Sequence, residues 1–272
     1  MNRRSFCLSV LSLQAAARSR SLWAAALAPP DAVWDRSREL RFVLQDRLDH
    51  PFYWWPRTLL TYPIEFRSPV DLGRLALTRV DTGEQIPIQF SRIQRGPAGV
   101  QSATLNFFSD LPSGARREFV LSASQAPPAH RRQVKETREG STIVLDSGLV
   151  RVRIPATQAV HGDAPGPILQ VARGGGQVAR SGAQVARSGA QVARGEDWVG
   201  SSTLSIENDP IVRITSKRIV DGPLLIAYEI VYESQAGSRY AATVQCEAGF
   251  DFVRFRENME GVRPGAHGVF TS

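Results

Sequence analysis

Alternation of apolar and polar residues is the feature that most constrains how this chain can fold. From Leu60 to Phe66, and again from Ile226 to Tyr232, every second residue is apolar. Successive side chains of an extended strand point to opposite faces, so this pattern gives each strand one apolar face. The same alternation recurs in other segments, at residues 86–90, 103–107, 150–154 and 240–246.

Turn residues separate these alternating runs. Short strands joined by such turns are typical of antiparallel sandwiches and barrels. After residue 28, no segment keeps a helical apolar period for three turns. The sequence therefore predicts an all-β protein, with a small N-terminal β-barrel or sandwich followed by a larger antiparallel β-sandwich. The turns are Asp81-Thr82-Gly83, Pro112-Ser113-Gly114, Asp146-Ser147-Gly148 and Asp221-Gly222-Pro223.

A segment poor in apolar residues divides the two predicted domains. Residues 123–140 hold two prolines and several charged side chains, which is typical of a linker. We therefore place a first β domain at 33–122 and a second at 141–272, and we expect the second sandwich to be incomplete.

A heptapeptide, Gln-Val-Ala-Arg-Ser-Gly-Ala, is repeated in tandem within residues 170–195. A coiled coil would share this seven-residue period, but each unit has one large apolar residue and a glycine, which costs about 1 kcal/mol in a helix. The sequence therefore predicts a flexible loop inserted into the second domain.

Basic residues are concentrated at the N-terminus. Arg3-Arg4 followed by apolar residues resembles the twin-arginine export motif, and Ala26-Leu27-Ala28 fits a small-x-small cleavage site. Arg18 and Arg20 interrupt the apolar stretch, which leaves a basic arm or a mis-assigned start codon as the alternative. We expect residues 1–28 to be a Tat-type signal peptide and the protein to be periplasmic or extracellular.

The net charge of +7 does not indicate a nucleic-acid partner. Outside residues 1–28 the chain has 29 Lys and Arg against 26 Asp and Glu, and four of these Arg lie in the repeat tract. A phosphate backbone requires a continuous basic face, so we expect no nucleic-acid binding. No apolar run approaches the ~20 residues of a membrane span, so we expect no stable membrane insertion.

Motifs of nucleotide-binding proteins, metalloproteases and common hydrolases are absent from the chain. Without the leader, Cys246 is the only cysteine, so neither a disulfide nor a cysteine-based metal site is expected. We predict no metal and no cofactor. Among the four histidines, His161 and His267 lie in Gly/Pro-rich loops, where either could act as a general base.

Aromatic residues cluster in Phe52-Tyr53-Trp54-Trp55. Flat aromatic faces stack on the apolar faces of sugar rings, and Arg57 could bind a uronate carboxylate bidentately. Tyr53, Trp54, Trp55 and Arg57 are therefore our candidate carbohydrate-binding residues. The alternative is that they belong to the core, and since adjacent residues of a strand face opposite ways, we expect at least one Trp to do so.

Two hairpin motifs resemble a known family. Asp81 to Gln89 follows a D-x-G-x-x-[VI]-P-x-Q pattern, and Asn106 to Gly114 leads into a closing strand. Both are similar to the RIFT-barrel-like domain that opens exo-rhamnogalacturonan-lyase-like proteins. Thr142 to Val152 resembles the start of that family's galactose-mutarotase-like sandwich. The family's helical toroid, which holds much of its catalytic cleft, has no counterpart here. No catalytic residue is carried over, because no motif position supports one.

Two functions follow as expectations. The first is a secreted polysaccharide lyase or hydrolase of pectin type that binds acidic polysaccharide and whose main catalytic region is outside this chain. The second is a non-catalytic carbohydrate-binding or cell-surface β-sandwich. In either case the expected partner is a polysaccharide or oligosaccharide, and the sequence leaves the oligomeric state open.

Overall fold

A computed structural model describes residues 33–35, 39–48, 50–52, 54–97, 99–124, 133–161, 163–173, 198–200, 202–206, 209–260 and 268–271. The structure is 66% strand and 2% helix, and its strands form several antiparallel sheets. The all-β sandwich prediction is therefore confirmed. Within the described residues, the only helical element is a single 3-10 turn, Leu72–Arg74. No helix there is long and apolar enough to cross a bilayer.

The first domain is built from two four-stranded sheets. One has the order β1-β3-β7-β6 and the other the order β2-β8-β4-β5. All the strand pairs are antiparallel except β1 with β3. The strands are β1 Val33–Trp34, β2 Leu40–Gln45, β3 Trp55–Phe66, β4 Leu75–Arg79, β5 Gln85–Ile86, β6 Ile88–Gly96, β7 Gly99–Leu111 and β8 Arg116–Ala123.

The second domain has a four-stranded sheet (β14-β11-β10-β9), a five-stranded sheet (β12-β16-β17-β18-β19) and a small three-stranded sheet (β13-β15-β20). The strands are β9 Lys135–Glu139, β10 Thr142–Asp146, β11 Val150–Pro155, β12 Gln158–Ala159, β13 Ala164–Pro165, β14 Gln170–Arg173, β15 Thr203–Ile206, β16 Ile211–Val220, β17 Leu225–Ser234, β18 Arg239–Glu247, β19 Val253–Glu260 and β20 Gly268–Thr271.

Each domain has its own hydrophobic core, made by the alternating residues of its strands. In the first domain, Phe107 of β7 is fully buried, with its ring stacked on Tyr62 at 5.8 Å and against Phe119 at 5.1 Å. In the second, Tyr228 and Tyr232 of β17 are buried, and their hydroxyls donate to Glu136 and to the Pro165 carbonyl. The predicted apolar faces of these strands are therefore confirmed as core.

Two boundaries drawn from composition need correction. Residues 135–139, assigned to the linker, form β9 at the edge of a sheet, where β9 pairs with β10 through main-chain hydrogen bonds and four of its five residues are exposed. Residues 170–173, assigned to the repeat insertion, form β14 and pair with β11. The remainder of the insertion, the leader and residues 125–132 lie outside the described residues.

A buried glutamine joins the two domains. Gln89, on β6, accepts hydrogen bonds from the backbone N–H groups of Leu224 and Leu225, both 2.9 Å long. Its side-chain amide donates to the Leu225 carbonyl at 3.1 Å. Gly222 lies against this amide, and a Cβ there would fall 2.2 Å from the Gln89 Cδ. The first domain is thus fixed against the start of β17.

Candidate functional site

An apolar depression of about 480 Å³ lies at one end of the first domain. It is formed where the loop between β2 and β3 meets the turn between β7 and β8. Its lining is almost entirely apolar and contains two prolines and two aromatic rings. The lining residues are Pro51, Phe52, Trp54, Pro112 and Ser113.

The two aromatic side chains of this depression are exposed to solvent. Phe52 is 87% exposed and Trp54 is 63% exposed, so neither contributes to the core. Trp55, the next residue along the chain, begins β3 and packs against the core of the first domain. The expected division of the tryptophans is therefore observed, with Trp54 facing solvent and Trp55 facing inward.

Asp46 holds the loop that carries these aromatic residues. One carboxylate oxygen accepts hydrogen bonds from the Leu48 N–H at 3.0 Å and from the Trp55 indole at 3.4 Å. The other oxygen accepts from the Gly114 N–H at 2.8 Å, which ties the loop to the opposite turn. These backbone donors, Gly114 first, lower the pKa of Asp46 because they stabilise the ionised carboxylate.

His50 has a local structural role in the same loop. Its Nδ1 accepts a hydrogen bond from the Phe52 N–H at 3.3 Å, and its carbonyl accepts one from the Ser113 hydroxyl at 2.5 Å. The imidazole and the Phe52 ring meet edge to face, with centroids 6.3 Å apart. The bond with Ser113 joins the loop to the turn, and the contacts with Phe52 order the loop itself, so the aromatic surface is organised before any ligand arrives.

Sequence reasoning found the aromatic half of this surface and missed its other half. Pro112 and Ser113 were recognised only as turn residues, yet they form the opposite wall of the depression. No local signal identifies them, because the contact is between residues more than fifty positions apart. The exposed proline of the turn and the aromatic loop form one surface only when folding brings them together.

Arg57 lies away from the depression. It lies on β3 at the seam between the domains, where its guanidinium stacks on Phe108 at 4.0 Å. The same group donates a hydrogen bond to the Ala248 carbonyl of the second domain at 2.9 Å. The structure therefore brings Trp54 together with Phe52, and it places Arg57 with residues of β7 and of the loop after β18.

The remaining candidates are dispersed. His161 is exposed in the short connection between β12 and β13 and makes no hydrogen bond with another described residue. Tyr53 and His267 lie outside the described residues. Within the described part of the chain, no three His, Cys, Asp or Glu side chains are grouped as metal ligands.

Comparison with known proteins gives no family for this chain. No protein-family model matches it, and no curated protein matches it either. The similarity to exo-rhamnogalacturonan-lyase-like proteins thus remains a prediction from the hairpin motifs.

Proposed function

We propose that this protein binds carbohydrate through the depression that Phe52 and Trp54 line. The observation that carries this proposal is the 63% exposure of Trp54 beside the still more exposed Phe52 in one apolar surface. Exposed apolar surface costs free energy in water, and its burial against a ligand returns about 25 cal/mol per Å². A shallow aromatic floor suits the flat C–H face of a sugar ring, while ring hydroxyls remain in solvent.

The loop geometry supports a preformed site. Asp46 fixes the loop through three hydrogen bonds. His50 adds one hydrogen bond within the loop and one between the loop and the turn. A surface that is ordered in advance loses less conformational entropy when a ligand binds. Binding, rather than bond cleavage, is the activity we propose for this surface, because none of the described residues that line it has a titratable side chain.

We also propose that the protein acts outside the cytoplasm, as its predicted leader implies. An exported sugar-binding protein would meet polysaccharide where it is abundant. Fusion of residues 1–32 to a reporter should direct export that stops when Arg3 and Arg4 are both replaced by Lys.

Titration calorimetry with a panel of neutral and acidic oligosaccharides tests the binding proposal. For a glycan that binds, Trp54→Ala should weaken affinity about tenfold, which corresponds to ~1.4 kcal/mol. Phe52→Ala should weaken it in the same direction. Since both side chains are exposed, neither substitution should lower the melting temperature appreciably.

Ile219→Ala is the matched control, since Ile219 is an exposed apolar residue of the second domain. It should leave affinity unchanged. The proposal would be refuted if Trp54→Ala and Phe52→Ala bound every glycan with the same affinity as the wild type. It would also be refuted if Ile219→Ala lost as much affinity as these two variants.

A further inference from the structure

Strand β19 lies at the edge of the five-stranded sheet of the second domain. It pairs with β18 along its whole length, from Val253 opposite Cys246 to Glu260 opposite Arg239, without a register shift. No described residue pairs with the other side of the strand. The backbone N–H and C=O groups along that side are therefore available to an added strand.

One face of β19 continues the core of the second domain. Directly opposite residues of an antiparallel pair share a face, and Phe255 lies opposite Val244, which is fully buried in that core. Val253, on the same face as Phe255, packs against the core. Phe255 is nevertheless 40% exposed. An aromatic ring on the core face of an edge strand thus meets solvent, which leaves apolar surface for another chain to cover.

The comparable edge of the first domain is closed. Strand β2 ends the sheet β2-β8-β4-β5, also with an unbroken register. Its residues on the core face, Phe42 and Leu44, are only 1% and 7% exposed. Exposed edges in natural proteins are commonly short, bulged or interrupted by proline. Strand β19 has eight residues, no proline and no bulge, so its edge lacks these protections.

The charges on the outer face of β19 are separated by sign along the strand. Even-numbered positions share this face, so Arg254 and Arg256 begin it and Glu260 ends it. If a second β19 pairs antiparallel about position 257, Arg254 of each copy lies opposite Glu260 of the other copy. A parallel alignment in register would bring like charges together instead. The face is therefore complementary to itself in the antiparallel direction.

The two arginines of this face have donors for such a pairing. Arg254 bonds to Glu247 through Nε, and its terminal nitrogens have no hydrogen-bond partner among the described residues. The Arg254 side chain is 52% exposed. Arg256 is exposed as well, and its side chain makes no hydrogen bond or ion pair with a described residue. Both cations thus reach solvent beside the open edge.

We propose that β19 is an interaction surface for a second copy of this chain. The two β19 strands pair antiparallel about position 257 and join two five-stranded sheets into one continuous sheet. Main-chain hydrogen bonds supply the affinity, and the pairing of Arg254 with Glu260 selects the direction and register. Phe255 lies opposite position 259 of the second copy, a methionine. The proposal does not rest on sugar binding, because the depression belongs to the first domain.

Sedimentation equilibrium over a range of protein concentrations tests the dimer. The mass should rise from that of one chain to that of two, and Phe255→Lys should weaken association about tenfold or more, because it places a charge on the core face of the pairing strand. Phe255 is partly exposed, and the aliphatic stem of lysine keeps the core covered, so the variant should remain folded.

Val212→Lys is the matched control. Val212 is 43% exposed and lies on β16 of the same sheet, away from the open edge. The control should change the dissociation constant of the dimer by less than about twofold. The mass of one chain at every concentration would overturn the proposal. Association that Phe255→Lys leaves unchanged, or that Val212→Lys weakens equally, would overturn it as well.

The same substitution at two positions of β19 tests the register. Glu260→Gln removes the partner of Arg254 and should weaken the dimer about two- to fivefold. Glu257 lies opposite Glu257 of the second copy, so Glu257→Gln removes a like-charge pair and should strengthen the dimer about two- to fivefold. Glutamine can still accept the 2.7 Å hydrogen bond from the Tyr240 hydroxyl, so the fold should be kept. A shift of both variants in the same direction would refute the pairing about position 257.

Discussion

Replacement of Gln89 by Ala is the sharpest test of how the two domains are joined. The side chain is 4% exposed and makes three hydrogen bonds to the backbone of Leu224 and Leu225. Each contributes about 0.5–1.5 kcal/mol, and the backbone groups left buried without partners add a desolvation cost. Leu224 and Leu225 are at most 3% exposed, so water reaches them poorly. We expect Gln89→Ala to lower the free energy of unfolding by about 3–5 kcal/mol.

Gly222 permits a double-mutant cycle with Gln89. A Cβ at this position would lie 2.2 Å from the Gln89 Cδ, so Gly222→Ala alone should cost about 1–3 kcal/mol through overpacking. In the Gln89→Ala background the added methyl group enters the space that the amide has left. The double variant should therefore be more stable than the sum of the two single effects predicts.

Urea unfolding followed by tryptophan fluorescence measures these free energies. Gln94→Ala is the control on the same strand, since exposed Gln94 accepts a single surface hydrogen bond from Ser102, and it should cost less than about 0.5 kcal/mol. A difference under 1 kcal/mol between Gln89→Ala and Gln94→Ala would refute the reasoning. So would an equal cost of Gly222→Ala in both backgrounds.

Two further predictions concern titratable groups. The pKa of Asp46 is lowered by folding, so its stabilising contribution is present at neutral pH and is lost as pH falls through that lowered pKa. The difference in urea midpoint between wild type and Asp46→Asn should shrink from pH 7 to pH 3. Burial raises the pKa of Cys246 to about 12, so in a Cys7→Ser background a thiol reagent should label the protein at pH 7 only after unfolding. Rapid labelling of the folded protein would contradict the buried position.

Strand assignment followed from the sequence because one face of most strands is buried. Tyr62 and Ile64 of β3, like Val152 and Ile154 of β11, are buried in the core. In both strands, apolar residues at every second position are the ones that face the core. β17 is less regular, since Leu225, Ala227 and Val231 on its second face are also buried. Packing of the first domain against the start of β17 covers part of that face, which a pattern within one strand does not indicate.

The short edge strands were missed for a related reason. Lys135 to Glu139 and Gln170 to Arg173 are held by main-chain hydrogen bonds to a neighbouring strand. Pairing through the main chain places few requirements on side-chain type. The composition of these two segments therefore did not indicate strands, and it favoured a linker for the first and a loop for the second. The information lies in the partner strands β10 and β11.

The candidate sites divide in the same way. Local sequence determined that the Phe52 to Trp55 segment is aromatic. Trp54 lies in the loop before β3, so its exposure, unlike the alternation within β3, depends on how the loop is held. Only tertiary structure decided that Pro112 completes the depression, that Gln89 enters the second domain, and that Arg57 bonds to the Ala248 carbonyl. These contacts join residues distant in the chain, and which distant residues meet is fixed by how sheets and domains pack.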